Sequence, residues 1–230
     1  MTQHFLPGEP PIQVVLRRSA RARRISLRVS RLDGRVSLTL PNGVPEREGM
    51  AFVREKEDWV RGQLTKRPDR VHVALGEDIA LEGRLLRIAA GSGRLVRVED
   101  GCLLVPGKPE RMSARVQAFL KQIARERLVA ASDRYAERLG RPYTRITLRD
   151  TRSRWGSCSS KGALMYSWRL VMAPAAVLEY VAAHEAAHLA EMNHSPAFWA
   201  KVEAIHGPYR EQRNWLRQNG ETLHRFRFGD

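Results

Sequence analysis

Three scarcities in this sequence each remove a class of protein. Cysteine occurs only at Cys102 and Cys158. Two are too few for the disulfide framework that supports small secreted domains. No apolar run approaches the roughly 20 residues that cross a bilayer as a helix, so no spanning helix is expected. The opening stretch, MTQHFLPGEPPIQVV, has no basic segment followed by an apolar core. No secretory signal is expected, and a cytoplasmic protein is the simplest reading. Internal repeats and low-complexity tracts are also missing, which argues against repeat arrays and disordered tails.

Acidic residues are outnumbered, 25 Asp and Glu against 40 Lys and Arg, for a net charge of +15. A field of that sign attracts anions such as nucleic acids, nucleotides and acidic surfaces. Arginine is concentrated near the start, at Arg17, Arg18, Arg21, Arg23, Arg24, Arg28 and Arg31. In the strand expected there, Arg24 and Arg28 share one face with Ser26, and Ile25, Leu27 and Val29 take the other. The apolar face is the one to bury. The cationic face suits weak, sequence-independent contact with a polyanion, although a solvated face is the simpler reading.

With 43% hydrophobic and 28% charged residues over 230 positions, the chain suits one large globular domain or two small ones. The first part reads as β-structure. IQVVLRR, RRISLRVS and RVSLTLP alternate and are rich in β-branched residues, and LDG marks a hairpin turn. VPEREGMAFVREKEDWVRGQLTKRP reads as one helix with Pro45 in its first turn and Trp59 in the core. Strand signals return from Val71 to Val105. VPGKPE is the expected boundary between a β-rich region, 1–107, and a second region, 108–230. A long helix is expected from Pro109 to Leu139, capped by Gly140. TRITLRD and ALMYSWRLVM read as strands, TRSRWGSCSSKG as a loop between them, and APAAVLEYVAAHEAAHLAEM as a helix. Ser195 and Pro196 open a further helix, and GPYREQRNWLRQNG makes the last. The fold class is α+β.

The chemistry concentrates in HEAAHLAEMNH, His184 to His194. Residues four apart share a helix face, so His184 and His188 point the same way, continuing the stripe of Val177 and Val181. Glu185 lies about a quarter turn aside. This is the H-E-x-x-H arrangement, in which two imidazoles hold Zn²⁺ and the carboxylate acts as general base toward an activated water. A catalytic zinc takes three protein ligands and keeps one open position. His194, beyond a helix end expected at Met192, reaches the same metal if the chain turns back at Asn193 in a left-handed conformation. Metzincins share the histidine spacing but place glycine at the turn, where Glu191 stands here. Glu191, Glu203 and His206 are rival third ligands. His4, His72 and His224 have no partners in sequence and read as surface or core residues.

RSRWGSCSSKG, WRLVMAP, HEAAHLAEMNHSPAFW and YREQRNWL together resemble the YgjP-like family of bacterial zinc metallopeptidases, related to the SprT-like and WLM groups of zincins. The resemblance covers most of the chain and is strongest from Arg152 to Leu216. It implies a zincin-like catalytic domain in the second region, with zinc on the helix carrying His184 and His188. Many members have leucine where Ala186 stands, a packing change without chemical consequence.

The RSRWGSCSS loop is expected beside the metal, where Arg154 is a candidate for stabilising an oxyanion or binding a substrate anion. The structural alternative is a turn in which Gly156 supplies an unusual backbone angle and Arg154 pairs with a carboxylate. Trp155 forms a wall or packs. Cys158 is not needed as a nucleophile, and as a zinc ligand it would close the open position. The leading expectation is a zinc-dependent hydrolase of metallopeptidase type with Glu185 as base. The same water and base can attack phosphorus, so a nucleoside triphosphate pyrophosphohydrolase is the alternative. A nucleic-acid-associated protein is the non-enzymatic reading, to which the SprT relation adds a link to DNA.

Overall fold

Alternating apolar positions build the first sheet. The computed structural model describes residues 2–30, 33–65 and 69–229. Strands β1 (Thr2–Leu6), β2 (Ile12–Arg18), β3 (Ser26–Val29) and β4 (Val36–Leu40) lie in the order β1-β2-β4-β3. β2 and β4 run parallel and the other pairs antiparallel. Ile12, Val14 and Leu16 of β2 face the core, and Gln13 between them faces out. The β3–β4 hairpin matches the LDG signal. Ser30 N–H donates to the Arg35 carbonyl at 2.9 Å, and Gly34 takes the left-handed φ of 73° that the turn requires. Leu32 of that signal and Arg31 of the basic run lie outside the described residues.

The expected single helix is two, α1 (Glu46–Glu55) and α2 (Glu57–Thr65), broken at Lys56 with φ −99° and ψ 16°. Lys66, Arg67 and Pro68 at its expected end lie outside the described residues. Met50, Val53 and Val60 are buried. Trp59 is 45% exposed, not in the core as expected. One step along a helix turns a side chain by about 100°, so with Val60 inward Trp59 points away.

The chain divides into two compact units, Met1–Asp69 and Arg70–Asp230. The VPGKPE segment therefore lies inside the second unit. Packing explains this. Strands β6 (Asp78–Leu81), β7 (Arg84–Gly91), β8 (Arg97–Glu99) and β9 (Cys102–Pro106) follow a short β5 (Val71–His72) and form a sheet ordered β6-β7-β9-β8. Their Ile79, Leu86, Ile88, Leu103 and Val105 share one core with Met112, Val116 and Leu120 of helix α3 (Met112–Leu139). Cutting there would expose both faces. α3 ends at Gly140, whose φ of 64° forms the expected left-handed cap.

The third sheet has the order β10-β12-β11, from β10 (Arg145–Arg149), β11 (Gly156–Cys158) and β12 (Ala163–Ser167). β11 lies in the segment expected to be loop, pairing antiparallel with β12. The strand expected to continue to Met172 stops at Ser167, and Trp168–Met172 becomes a fully buried 3-10 turn. Helices α4 (Ala175–Ala187), α5 (Pro196–His206) and α6 (Arg210–Asn219) follow, and β13 (Phe226–Arg227) returns to pair with β5. α4 packs against α3, α5, α6 and β11. Ala182, Ala183, Ala186 and Ala187 are fully buried, and their small side chains let several neighbours approach it at once. Among the described residues no helix is long and apolar enough to cross a membrane.

Candidate active site

The buried stripe of α4 runs from Val177 through Val181 to the half-buried His184, and His188 closes the helix as its cap. The helix thus ends before Met192, where it was expected to stop. Backbone turns carry the chain on: Leu189 N–H donates to the Ala186 carbonyl at 2.9 Å, and Glu191 N–H to that of Ala187 at 3.0 Å. Asn193 is not left-handed; among described non-glycine residues only Glu82 and Asp100 have positive φ. Instead its Oδ1 accepts from Ser195 N–H at 3.1 Å, a side-chain turn that reverses the chain. Ser195 Oγ then accepts from Phe198 N–H, and Pro196 opens α5 as expected.

This path brings three imidazoles together. His194 Nε2 lies 3.1 Å from His184 Nε2, and the available ligand atoms of His184, His188 and His194 all fall within 4.8 Å of one another. The Phe198 ring lies beneath all three, 4.4–4.9 Å from their centroids. The rivals are not in the group. Glu191 contributes its backbone carbonyl, 2.8 Å from His188 Nδ1, which accepts that nitrogen's proton and leaves Nε2 as the free lone pair. His206 packs its ring against Tyr135 and Tyr180.

The donor set fits a metal ion. Two nitrogens each about 2.1 Å from a tetrahedral ion would be about 3.4 Å apart, close to the spacing of His184 and His194. Burial, then the neighbouring His188, His194 and Arg213, lowers the His184 pKa to about 3. Burial lowers His188 as well. Both rings are held neutral, the state in which an imidazole binds metal.

Glu185 is 6% exposed and turns toward β11. A Cβ on Gly156 would lie 2.5 Å from both Cγ and Oε1 of Glu185, so no larger residue fits there. The expectation for Gly156 changes accordingly: its φ is outside the positive range, and it is glycine because the carboxylate presses on it. Burial pushes the Glu185 carboxyl up to about 8, against the opposing pull of Arg154. Arg154 is exposed and its side chain forms no ion pair among the described residues, so the expected pairing with a carboxylate is not made. Trp155 packs against His224, with ring centroids 5.2 Å apart, and against Gly220. Cys158 stands outside the histidine group, and burial followed by the charge of Glu185 raises its thiol to about 11, far from a reactive thiolate.

A model of the YgjP-like metallopeptidase domain matches residues 23–219. The chain belongs to the YgjP-like family. Membership makes it a metallopeptidase-type hydrolase, an enzyme that works with a metal ion on peptide substrates. No curated protein matches the chain. Among solved structures, the metallopeptidase zymogen of Pyrococcus abyssi abylysin is similar at 20% identity, covering 41% of this chain and 93% of that one with a TM-score of 0.36.

This YgjP-like site also has a wall that sequence reasoning missed. Trp199 lies 5.6 Å from His184 and 5.8 Å from His194, ring to ring. Tyr209 stacks on Trp199 at 5.3 Å and on Tyr180 at 5.8 Å, and Tyr180 meets His184 edge-on. Arg213 sits over the Trp199 ring at 4.6 Å. The one local signal was the spacing of Tyr209 and Arg213, four apart on a helix and therefore on one face. Nothing local ties α6 to α4.

Proposed function

We propose that this protein hydrolyses peptide bonds with a zinc ion held by His184, His188 and His194, and that Glu185 is the general base. The convergence of three imidazoles beside a buried carboxylate carries the reading. An all-nitrogen set suits zinc over harder ions, which prefer oxygen. Zinc, when bound, supplies a Lewis acid that polarises the scissile carbonyl and makes water easier to deprotonate. Glu185 Oε1, fixed against Gly156, takes the proton of the attacking water and passes it to the leaving amine. Burial keeps bulk water from competing for that carboxylate. Arg154, close enough to Glu185 to act on its charge, steadies negative charge developing on the substrate.

Of the two bonds that suit this chemistry, membership in a metallopeptidase family favours the peptide bond over the phosphoanhydride. The hydrolase chemistry belongs to residues 108–230, whose core the strands of 78–106 complete. Cys102 and Cys158 are free thiols, which suits the reducing cytoplasm. Arg28 of β3 and the exposed Arg21, Arg23 and Arg24 before it give the first unit a cationic face suited to weak, salt-sensitive binding of a polyanion.

Metal analysis and a pool of fluorogenic peptides test the reading. Purified protein should hold about one zinc per chain, as a single tetrahedral site requires. His188→Ala should lose most of it. Glu185→Gln should keep the zinc and cleave about 10²- to 10⁴-fold more slowly, the usual contribution of a general base. Equal zinc in wild type and His188→Ala would remove the site, and undiminished cleavage by Glu185→Gln would remove the base.

A further inference from the structure

The Trp199–Arg213 wall has a chemistry of its own. Trp199 is in ring contact with two of the three histidines, and Arg213 lies 4.6 Å above it. Arg213 is exposed and makes no hydrogen bond or ion pair among the described residues. The local sequence explains why. Three and four residues away on α6 stand Arg210, Leu216, Tyr209 and Arg217, none of them an acid. Glu203 and Glu211 line a cavity at Tyr209, and neither pairs with Arg213. A guanidinium held at an aromatic face, with its donors uncommitted, has lost side-chain freedom without gaining a partner. Its planar fork matches a carboxylate.

We infer that Arg213 is a specificity-determining residue that binds a carboxylate of the peptide substrate beside the histidine triad. The inference rests on the peptidase reading above. A peptide offers that group in two places, its C-terminal carboxylate and the side chain of an internal Asp or Glu. Both present the same planar acceptor, and Trp199 beneath the guanidinium provides an apolar surface for the adjoining chain. The site therefore selects acidic peptides or free chain ends, and Arg213 sets that preference without taking part in bond cleavage.

Four fluorescein-labelled peptides of otherwise identical sequence separate the possibilities. They carry either a free or an amidated C-terminus, and either Glu or Gln at one internal position. Binding to the full-length protein is followed by anisotropy, and cleavage by chromatography. The wild type should bind at least one carboxylate form better than its neutral counterpart, by about tenfold or more, as a charge-assisted pair implies. The pair that differs identifies the source. In Arg213→Gln the ratio should fall toward one, with the melting temperature nearly unchanged. Should that variant melt early, Arg213→Lys serves instead: it keeps the charge and loses the fork, and the ratio should still drop. Equal binding of all four peptides by the wild type, binding of none, or an undiminished ratio in both variants would overturn the inference. Carboxylate-dependent binding without cleavage would support it and count against the peptidase reading alone.

Discussion

The two compact units treat polar side chains differently. In the first, the buried cluster of Leu6, Ile12, Val14, Leu16, Val36, Leu38, Leu40, Met50, Val53 and Val60 is entirely apolar. Its buried polar residue, Thr39, accepts a hydrogen bond from Arg17. The second unit buries Ser132, Ser167, Arg169, Glu185, His188 and His224. Burying a charge is costly unless it is paired, so each case needs a cause. Arg169 and Glu185 give opposite ones. Arg169 donates to both carboxylate oxygens of Asp150 and to the carbonyls of Leu223 and Phe226. It ties the C-terminal turn to the strands, and each of its three nitrogens has a partner. Glu185 makes no hydrogen bond among the described residues. Arg169 is held as architecture, whereas Glu185, buried without a protein partner beside three histidines, is the group to which the proposal above gives a chemical task.

The sharpest test of that distinction is Arg169→Ala. It returns the exposed Asp150 to water but strands two buried carbonyls, and should cost about 2–4 kcal/mol in urea denaturation, the penalty of buried acceptors left without a donor. A change below 1 kcal/mol would remove Arg169 from the framework. Gly156→Ala probes the other side. The new methyl must displace the Glu185 carboxylate, so cleavage should fall about 10²-fold, the scale of a 1 Å misplacement. Zinc content should be unchanged, because the three histidines do not move. Lost zinc together with lost fold would instead assign Gly156 to packing.

His224 supplies a pH test away from the metal ligands. Burial lowers its pKa to about 4 from 6.5, the nearby Arg169, Arg152 and Arg227 lower it further, and Asp150 opposes them. A base whose folded pKa is depressed stays neutral in the folded protein while the unfolded chain takes up a proton. Its contribution to stability is therefore intact above pH 6.5 and is lost as pH falls toward 4. In His224→Phe the fall in melting temperature across that window should be shallower than in the wild type. An unchanged slope would mean that other groups set the acid limit.

The smallest effect belongs to the first unit. Arg28 is exposed on the face of β3 opposite Leu27 and Val29, and Arg24 is exposed in the bend just before the strand, which starts at Ser26 and not at Arg24 as expected. Changing both to Ser should move stability by no more than about 0.5 kcal/mol. Any weak binding of DNA or RNA at low salt should be lost, with zinc content intact. Binding that does not respond to salt would rule out charge as its cause.

What could be read from the sequence divides along the range of the interactions concerned. The pairing of His184 with His188 follows from helix geometry, and the start of α5 from a cap and a proline, all within a few residues. The alternation of β3 is equally local. His194 lies beside His184 and His188, brought there by the side-chain turn of Asn193 and not by a left-handed backbone. Other features depend on residues distant in sequence. Gly156 is glycine because of Glu185, on another element. Trp199 and Arg213 border the site because α5 and α6 both pack on α4. The parallel pairing of β2 with β4, and of β5 with β13, crosses intervening chain. The unit boundary at 69 instead of 107 reflects which strands share α3's core, which periodicity alone does not reveal.

The placement of the histidines also sets their clocks. His184 sits inside a helix buried nearly all round, where amide exchange waits for opening of the whole unit. His194 hangs on the exposed connection between α4 and α5, whose amides should exchange by local opening. His188, at the end of that helix, stands between the two, so the three imidazoles should span the range from global unfolding to the opening of a loop.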